Sequence, residues 1–214
     1  MPDSQPIVIE FFHDALSAWC YKASERLRAF AAAHADVRMV QRCFPLAVSP
    51  QVLGQKLYAD KREAKRDVVM VHWADARAFE PDPRINCELM MTRDFDYPYS
   101  LPNQLGAKAA EMQGGQRAHW DFFDRVQRAH LTECRNIADY GVLRECAEDI
   151  GLDGERWQHD VFGEHARTLL ADDIERAARY GILRIPALVA DGRHVLGGIP
   201  RSTLGHCLRE DAIE

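Results

Sequence analysis

The chain has 214 residues, 47% of them hydrophobic, which suffices for one large domain or for a small domain that carries an insertion. Its 27 basic and 33 acidic residues are interleaved and give a net charge of −6, which offers no electrostatic basis for binding nucleic acid. No apolar run approaches the roughly 20 residues of a membrane-spanning helix. Six cysteines are too few for a disulfide scaffold, and no basic and apolar leader opens the chain, so we expect a cytoplasmic protein with mostly reduced thiols.

Strand patterns occur near the beginning of the chain. Residues 7–13 are apolar and partly β-branched, which predicts a buried strand, and residues 37–44 alternate like a second strand that ends before Pro45. Between them, residues 18–35 carry apolar or small side chains three or four positions apart, which predicts a helix with Ser17 as its N-cap. This order favours a βαβ unit.

The centre of the chain has mainly helical patterns, and strand patterns return after it. Residues 187–190 and 194–196 flank Asp191 and Gly192, a strong hairpin signal, and residues 200–208 are predicted to form a closing helix. Prolines and the Gly114-Gly115 pair divide the centre into predicted helices at residues 51–79, 103–113, 118–134, 139–150 and 153–180.

The separation of the strand patterns to the two ends of the chain is informative about the fold. It is the element order of a thioredoxin-like domain into which helices have been inserted. The sequence therefore predicts an α/β fold, with a thioredoxin-like domain of residues 1–48 and 181–214 and an all-helical insertion domain of residues 49–180.

The start of the first predicted helix carries the most informative motif. Residues 17–20, Ser-Ala-Trp-Cys, have the spacing of a redox C-x-x-C site in which serine occupies the first position. The first cysteine of such a site is normally the attacking thiolate. This motif alone therefore cannot run a two-thiol shuttle.

Over nearly its whole length the chain resembles the DsbA-like superfamily, in particular the FrnE-like branch and its relatives, the kappa-class glutathione transferases and 2-hydroxychromene-2-carboxylate isomerases. Residues 14–21, DALSAWCY, are similar to the FrnE-type D-x-x-C-P-W-C-Y and equally to the kappa-type D-x-L-S-P-Y-S. Residues 178–186, ARYGILRIP, are similar to a family segment whose last residue is a cis-proline that faces the catalytic helix. Further matches in the helical region are Asn103 with Ala107, and residues 129–133 with Ile137 and Asp139.

Three departures from the family pattern bear on function. Ser17 replaces the nucleophilic cysteine, and Ala18 replaces the usual proline. Residues 194–200 lack the Ser-Asp pair with which kappa-like enzymes hold the γ-glutamyl end of glutathione, and Arg201 is a candidate anion partner in its place. The first departure argues against dithiol exchange, and the third argues against a standard glutathione site.

The resemblance implies roles for Ser17 and Cys20, each with a simpler alternative. Ser17 would donate a hydrogen bond to a substrate thiolate in the field of the helix N-terminus, or it would only cap the helix. Cys20 would be a low-pKa thiolate that forms a mixed disulfide, or it would be a buried inert thiol, the interpretation we favour.

Further site residues are expected around this helix start. The resemblance implies that Pro186 is cis and that the backbone of Ile185 is free to pair with a peptide or with glutathione; a trans proline beginning an edge strand is the alternative. His13 could act as a catalytic acid or base, but a histidine at a strand end more often makes a structural hydrogen bond. Trp19 is expected either to edge the substrate site or to pack in the core.

Two pairs of residues in the helical region have weaker signals. By analogy alone, Asn103 and Lys108 are expected to point toward the site as substrate-binding residues. His130 and Cys134 have the i, i+4 spacing of zinc ligands, but no second pair accompanies them, so no metal is expected. The scattered cysteines are interpreted as core or surface thiols: Cys43, Cys87, Cys146 and Cys207.

These observations leave three functional hypotheses open. The first is a DsbA/FrnE-like enzyme with an altered Ser17/Cys20 site that acts on thiol or disulfide compounds by monothiol or glutathione-assisted chemistry. The second is a kappa-like transferase or isomerase in which Ser17 activates the glutathione thiol. The third is a non-catalytic peptide-binding or chaperone module. Glutathione is thus the candidate cofactor, a small thiol or a peptide the expected partner, and a homodimer a candidate assembly.

Overall fold

The structure is a computed structural model that describes residues 6–52, 61–79 and 82–197. Its four-stranded sheet has the order β2-β1-β3-β4. β1 pairs in parallel with β2 and antiparallel with β3, which pairs antiparallel with β4. The two ends of the chain therefore meet in one sheet, as the strand patterns predicted. The strands are β1 (Ile7–His13), β2 (Val37–Cys43), β3 (Ala187–Ala190) and β4 (His194–Gly197).

The predicted βαβ unit is confirmed, with α1 (Ala18–Ala33) between the parallel strands β1 and β2. The helix begins at Ser17, whose backbone is extended and whose Oγ accepts a hydrogen bond from the Cys20 amide at 3.3 Å. This is the geometry of an N-cap. The helix buries Leu27 and Ala23 in the core.

Between β2 and β3 the described chain is helical, with two π-helical turns. The predicted helix of residues 51–79 is interrupted by the first of these turns, and part of it lies outside the described residues. The six-residue helix at Cys87 has no counterpart among the predicted elements, because so short a segment between loops shows no clear period. The elements are α2 (Lys61–Asp67), π1 (Val68–Trp73), α3 (Ala74–Phe79), α4 (Cys87–Thr92), α5 (Ser100–Gln127), π2 (Arg128–Thr132), α6 (Tyr140–Asp149), α7 (Gly154–Val161) and α8 (Glu164–Arg179).

The predicted break at Gly114 and Gly115 is confirmed: the backbone there is non-helical, and two helical segments of α5 meet at a kink. Gly114 has φ −135° and ψ 17°, and Gly115 has φ 66° and ψ −158°. Glycine adopts the positive φ of Gly115 without the steric penalty of a Cβ. The two helices predicted on either side are therefore joined as α5, which continues into π2.

The turn between β3 and β4 has the predicted hairpin chemistry. Asp191 and Gly192 have φ values of 45° and 72°. Two successive positive φ angles match the right-handed twist of the paired strands. The predicted closing helix of residues 200–208, Arg201 and Cys207 lie outside the described residues.

Sheet and helices share one apolar core. Its largest cluster contains Phe11 and Leu27 from the first βαβ unit together with Trp73, Phe123 and Trp157 from the helical region. Because the core is continuous, the division into domains at residues 48 and 181 stays a prediction. Within the described ranges no helix combines the length and apolarity that crossing a bilayer requires.

Candidate functional site

A cavity of about 370 Å³ opens at the N-terminal end of α1, and its size lies in the range of small-molecule sites. Its wall is mostly apolar. It is built from the start of α1, the loop after β2, π1 with Tyr97, and the residue before Pro186. The lining residues are Leu16, Ser17, Ala18, Trp19, Leu46, Ala47, Val68, His72, Trp73, Tyr97 and Ile185.

Ser17 is the motif residue that contributes a hydroxyl to the cavity wall. Its carbonyl accepts a 2.9 Å hydrogen bond from Gln127 Nε2, which fixes the helix start against α5. No described residue accepts a hydrogen bond from the amides of Ala18 and Trp19, which lie at the cavity. These two donors and the helix dipole favour an anionic group at this position.

Cys20 has no exposed surface and does not line the cavity. Burial is the largest influence on its thiol and raises the pKa of Cys20 to about 12, although the hydrogen bond with Ser17 acts to lower it. Cys20 is therefore a protonated thiol at neutral pH. This geometry favours the buried inert interpretation over a low-pKa thiolate.

Asp14 organises the cavity wall, a role that the sequence patterns did not reveal. Its Oδ1 accepts a hydrogen bond from the Leu16 amide at 3.1 Å, and its Oδ2 accepts one from the Leu46 amide at 2.9 Å. Ser100 at the start of α5 also bonds to it, and burial nevertheless raises the pKa of Asp14. One carboxyl group thus ties together three of the segments around the cavity. Its place directly after a buried strand was the available signal, because a buried carboxyl must find backbone donors nearby.

A hydrogen-bonded aromatic group forms another part of the wall. Trp73 Nε1 donates to the Tyr97 hydroxyl at 3.1 Å, and the same hydroxyl lies 3.2 Å from His130 Nε2. Burial lowers the pKa of His130 to about 3, so its imidazole is neutral. His130 and Cys134 have the spacing of zinc ligands, but Cys134 Sγ donates to the Asn86 carbonyl at 3.3 Å. In the described part of the chain no three His, Cys, Asp or Glu side chains are grouped to hold a metal ion.

The peptide bond between Ile185 and Pro186 is cis, which confirms that expectation. Ile185 lines the cavity, and neither its amide nor its carbonyl bonds to a described residue. Trp19 also lines the cavity and packs edge-on against Phe79, with 5.6 Å between ring centroids. These residues form a rim at which main-chain hydrogen bonds are available beside an apolar surface.

The structure places His13, Asn103 and Lys108 outside the cavity lining. The His13 ring is fully buried 3.8 Å from that of Phe123, and burial lowers the pKa of His13 well below its usual value. Asn103 is buried, and its Oδ1 accepts a hydrogen bond from Gln104 Nε2 at 3.2 Å.

Lys108 lies farther away, in an ion cluster on the β2 side of the sheet. Its side chain is 1% exposed, with Nζ 2.5 Å from Asp173 Oδ2 and 2.9 Å from Glu111 Oε2. Burial acts to lower the pKa of Lys108, but these carboxylates raise it above its usual value. A lysine so bound is engaged within the protein.

Comparisons with known proteins agree with this architecture. The cytosolic disulfide reductase DsbM from Pseudomonas aeruginosa is 27% identical, with a TM-score of 0.70 over 94% of this chain and 98% of its own. DsbM with GSH gives 26% identity and a TM-score of 0.69, over 94% of this chain and 99% of its own. A 2-hydroxychromene-2-carboxylate isomerase, 16% identical, has a TM-score of 0.65 over 96% of this chain and 98% of its own, which is a likeness of fold alone.

Another relative is named for a different role. The ClpXP adapter protein SpxH from Bacillus subtilis is 25% identical over 86% of this chain, and this chain spans 58% of the length of SpxH. The family model of the DSBA-like thioredoxin domain matches residues 8–208. The chain therefore belongs to the family of the DSBA-like thioredoxin domain, and it carries a serine at position 17 and a buried thiol at position 20.

Proposed function

We propose that the chain binds a small thiol, with reduced glutathione as the first candidate, and holds its sulfur as a thiolate at Ser17. One observation carries this proposal: Ser17 lines the cavity, whereas Cys20 does not line it, is buried, and has its pKa raised to about 12. The DsbM structure with GSH supports glutathione as the candidate, since that relative is 26% identical. DsbM is described as cytosolic, and we propose the same compartment here.

The hydrogen bonds of Ser17 explain how a thiolate would be held. Ser17 Oγ accepts the Cys20 amide at 3.3 Å through a lone pair. This bond does not use the hydroxyl proton of Ser17, which we propose donates to a ligand in the cavity. A thiolate there would receive this bond together with the unbonded amides of Ala18 and Trp19, and each of these interactions lowers the pKa of a bound thiol.

The apolar remainder of the cavity would hold a second substrate beside the thiolate. Trp19 offers aromatic surface, Leu46 and Val68 complete an apolar wall, and the fully buried Trp73 backs that wall. A thiolate next to such a surface can add to an apolar electrophile or promote an isomerisation through a reversible adduct. This is the kappa-like alternative, and the burial of Cys20 makes it the better supported of the two enzyme hypotheses.

A peptide-binding module is the second candidate function, favoured by a separate observation. The main chain of Ile185 is unbonded among the described residues, and a peptide could pair with it as an added strand. Leu46, Val48 and Phe79 beside the cavity expose 43%, 43% and 63% of their surface. SpxH, named as an adapter of ClpXP, is a relative with a protein partner.

Calorimetric titration of reduced glutathione distinguishes these candidates. We expect saturable binding to the unmodified protein in the micromolar to low millimolar range, an affinity at least about tenfold lower in Ser17→Ala, and little change in Cys20→Ala. S-methylglutathione, which cannot form a thiolate, is the matched ligand and should bind the unmodified protein and Ser17→Ala equally. Absence of heat at millimolar glutathione would contradict the proposal and leave peptide binding as the function to test.

A further inference from the structure

The cavity wall contains one imidazole, that of His72 in π1. Among the cavity-lining residues, His72 is the one with an imidazole, whose ring nitrogens can accept or donate a proton. It is solvent-exposed, and no described residue forms a hydrogen bond or ion pair with it. By contrast, His13, His119 and His130 are fully buried.

The π-helical turn explains why His72 reaches the cavity together with an aromatic residue. Val68, His72 and Trp73 all line the cavity. In an α-helix, which turns by about 100° per residue, Trp73 would point roughly 140° away from Val68. An i→i+5 turn brings residues five apart onto one side, and such turns occur frequently at functional sites. π1 therefore presents His72 and Trp73 on the same wall.

The charged groups on the four helices that pack against π1 are mostly engaged elsewhere. Lys22 of α1 lies 3.9 Å from Asp82, Lys65 of α2 donates to the carbonyls of Arg93 and Phe95, and Arg77 of α3 pairs with Glu88 of α4. Asp67 and Asp75 flank π1 in sequence. The cavity-lining residues include no aspartate, glutamate, lysine or arginine. An imidazole in this wall is thus the charge-bearing group that a bound ligand would meet.

We infer that His72 is a further catalytic residue, the base that takes the proton from the thiol bound at Ser17. The inference rests on the proposed function, because that thiol is its substrate. In the step, the S–H bond breaks, the proton forms a bond to an imidazole nitrogen, and the electron pair stays on sulfur as a thiolate held by the Ser17 hydroxyl. The resulting imidazolium stabilises the thiolate and later returns the proton to the product. No oxidant or reductant takes part.

The test is a pH titration of glutathione bound to the protein, followed by the ultraviolet absorbance of the thiolate. The same titration with S-methylglutathione supplies the baseline. In His72→Gln we expect the midpoint of thiol ionisation to lie about 1 pH unit or more above that of the unmodified protein. The proposed imidazolium would be lost, and an opposite charge within about 4–6 Å of a thiolate lowers the thiol pKa by that amount. His165→Gln, at an exposed histidine of α8 that does not line the cavity, should leave the midpoint unchanged.

The outcomes separate this inference from the proposed function. Calorimetry on each variant first establishes that glutathione binds, and circular dichroism establishes that the exposed substitution leaves the fold intact. Glutathione bound to His72→Gln with an unchanged midpoint would overturn the role of His72 while the proposed function stands. No binding to the unmodified protein would overturn the proposed function and this inference with it.

Discussion

The cavity at Ser17 and the ion cluster beside β2 both place polar groups in the protein interior, but they satisfy them differently. In the ion cluster, Asp173 is 1% exposed and accepts hydrogen bonds from Arg42 Nη1 at 3.0 Å and the Cys43 amide at 2.8 Å, with Lys108 Nζ at 2.5 Å. At the cavity, the amides of Ala18 and Trp19 have no acceptor among the described residues.

The ion cluster therefore stabilises the fold, whereas the cavity has polar groups available to a ligand. The cluster covers the edge strand β2, whose outward amides would otherwise invite pairing with another chain. It also carries Glu10, which bonds to Arg42 at 2.7 Å and to Arg176 at 2.9 Å. Buried polar groups that have used their bonds are structural, whereas donors left unused beside a cavity are available to a ligand.

Breaking the ion cluster should have the largest effect on stability. Lys108→Met removes the ammonium partner of the buried carboxylate of Asp173 and of the partly buried carboxylate of Glu111, and removing one member of a buried ion pair costs about 3–5 kcal/mol. Urea denaturation measures this loss. Arg117→Met, at a side chain that is 91% exposed beside Asp121, is the control and should cost less than about 0.5 kcal/mol. Equal costs for the two substitutions would contradict the structural role of the cluster.

Strong acid should weaken the ion cluster. Burial acts to raise the pKa of Glu111, but bonds from His119 and Lys108 bring it from 4.5 to about 2. Because the pKa of Glu111 is lower in the folded state, its contribution is present above pH 4.5 and is lost as the pH falls toward 2, by at most about 3 kcal/mol. The free energy of unfolding, obtained from urea denaturation at each pH, should fall less steeply between pH 4.5 and 2 in Glu111→Gln than in the unmodified protein. An equal loss of stability with falling pH in both proteins would show that a group other than Glu111 causes the acid sensitivity.

At the cavity, loss of the Ser17 hydroxyl should have a smaller effect on stability than on ligand binding. Ser17→Ala removes the cap bond to the Cys20 amide, which costs about 1 kcal/mol, whereas Ser17→Gly should cost only a few tenths. Thermal or urea denaturation of the two variants measures the difference. If the alanine variant is as stable as the unmodified protein, the hydroxyl does not cap α1.

The smallest effect is expected at His13, which lies between the two regions. Both ring nitrogens lack a partner in the described part of the protein, and the neutral ring packs against Phe11 and Phe123. His13→Phe removes buried polar atoms at nearly constant shape, so stability should change by less than about 1 kcal/mol and glutathione affinity should not change. A large loss of glutathione affinity in this variant would show that His13 contributes to ligand binding.

Local sequence signals were sufficient for the framework of the fold. The apolar runs around Phe11 and Leu188, the cap at Ser17 and the turn at Asp191-Gly192 each act through neighbouring residues, so their patterns predicted β1, β3, the start of α1 and the hairpin. The π-helical turn at His72 was not predicted, because its extra residue per turn has no separate hydrophobic period.

Among the candidate site residues, the places of those set by local sequence signals were predicted correctly, and the places of those that depend on distant contacts were not. Ser17, Trp19 and Ile185 line the cavity because their positions follow from the helix start and the segment before β3. Lys108 was assigned to the site by analogy, but its surroundings depend on Asp173, which is distant in sequence and close only in the folded chain. Contacts between distant elements cannot be inferred from one sequence, which is why the ion cluster was missed.

The central claim is that Ser17, and not Cys20, meets the ligand. Its most direct test is to treat the native protein with oxidised glutathione and to map the modified cysteines by peptide mass spectrometry, with the denatured protein as the positive control. We expect Cys20 to remain unmodified in the native protein and to form the mixed disulfide only after denaturation, because its thiol is buried and its pKa is raised to about 12. Rapid glutathionylation of Cys20 in the native protein would contradict the claim and establish Cys20 as the reactive group.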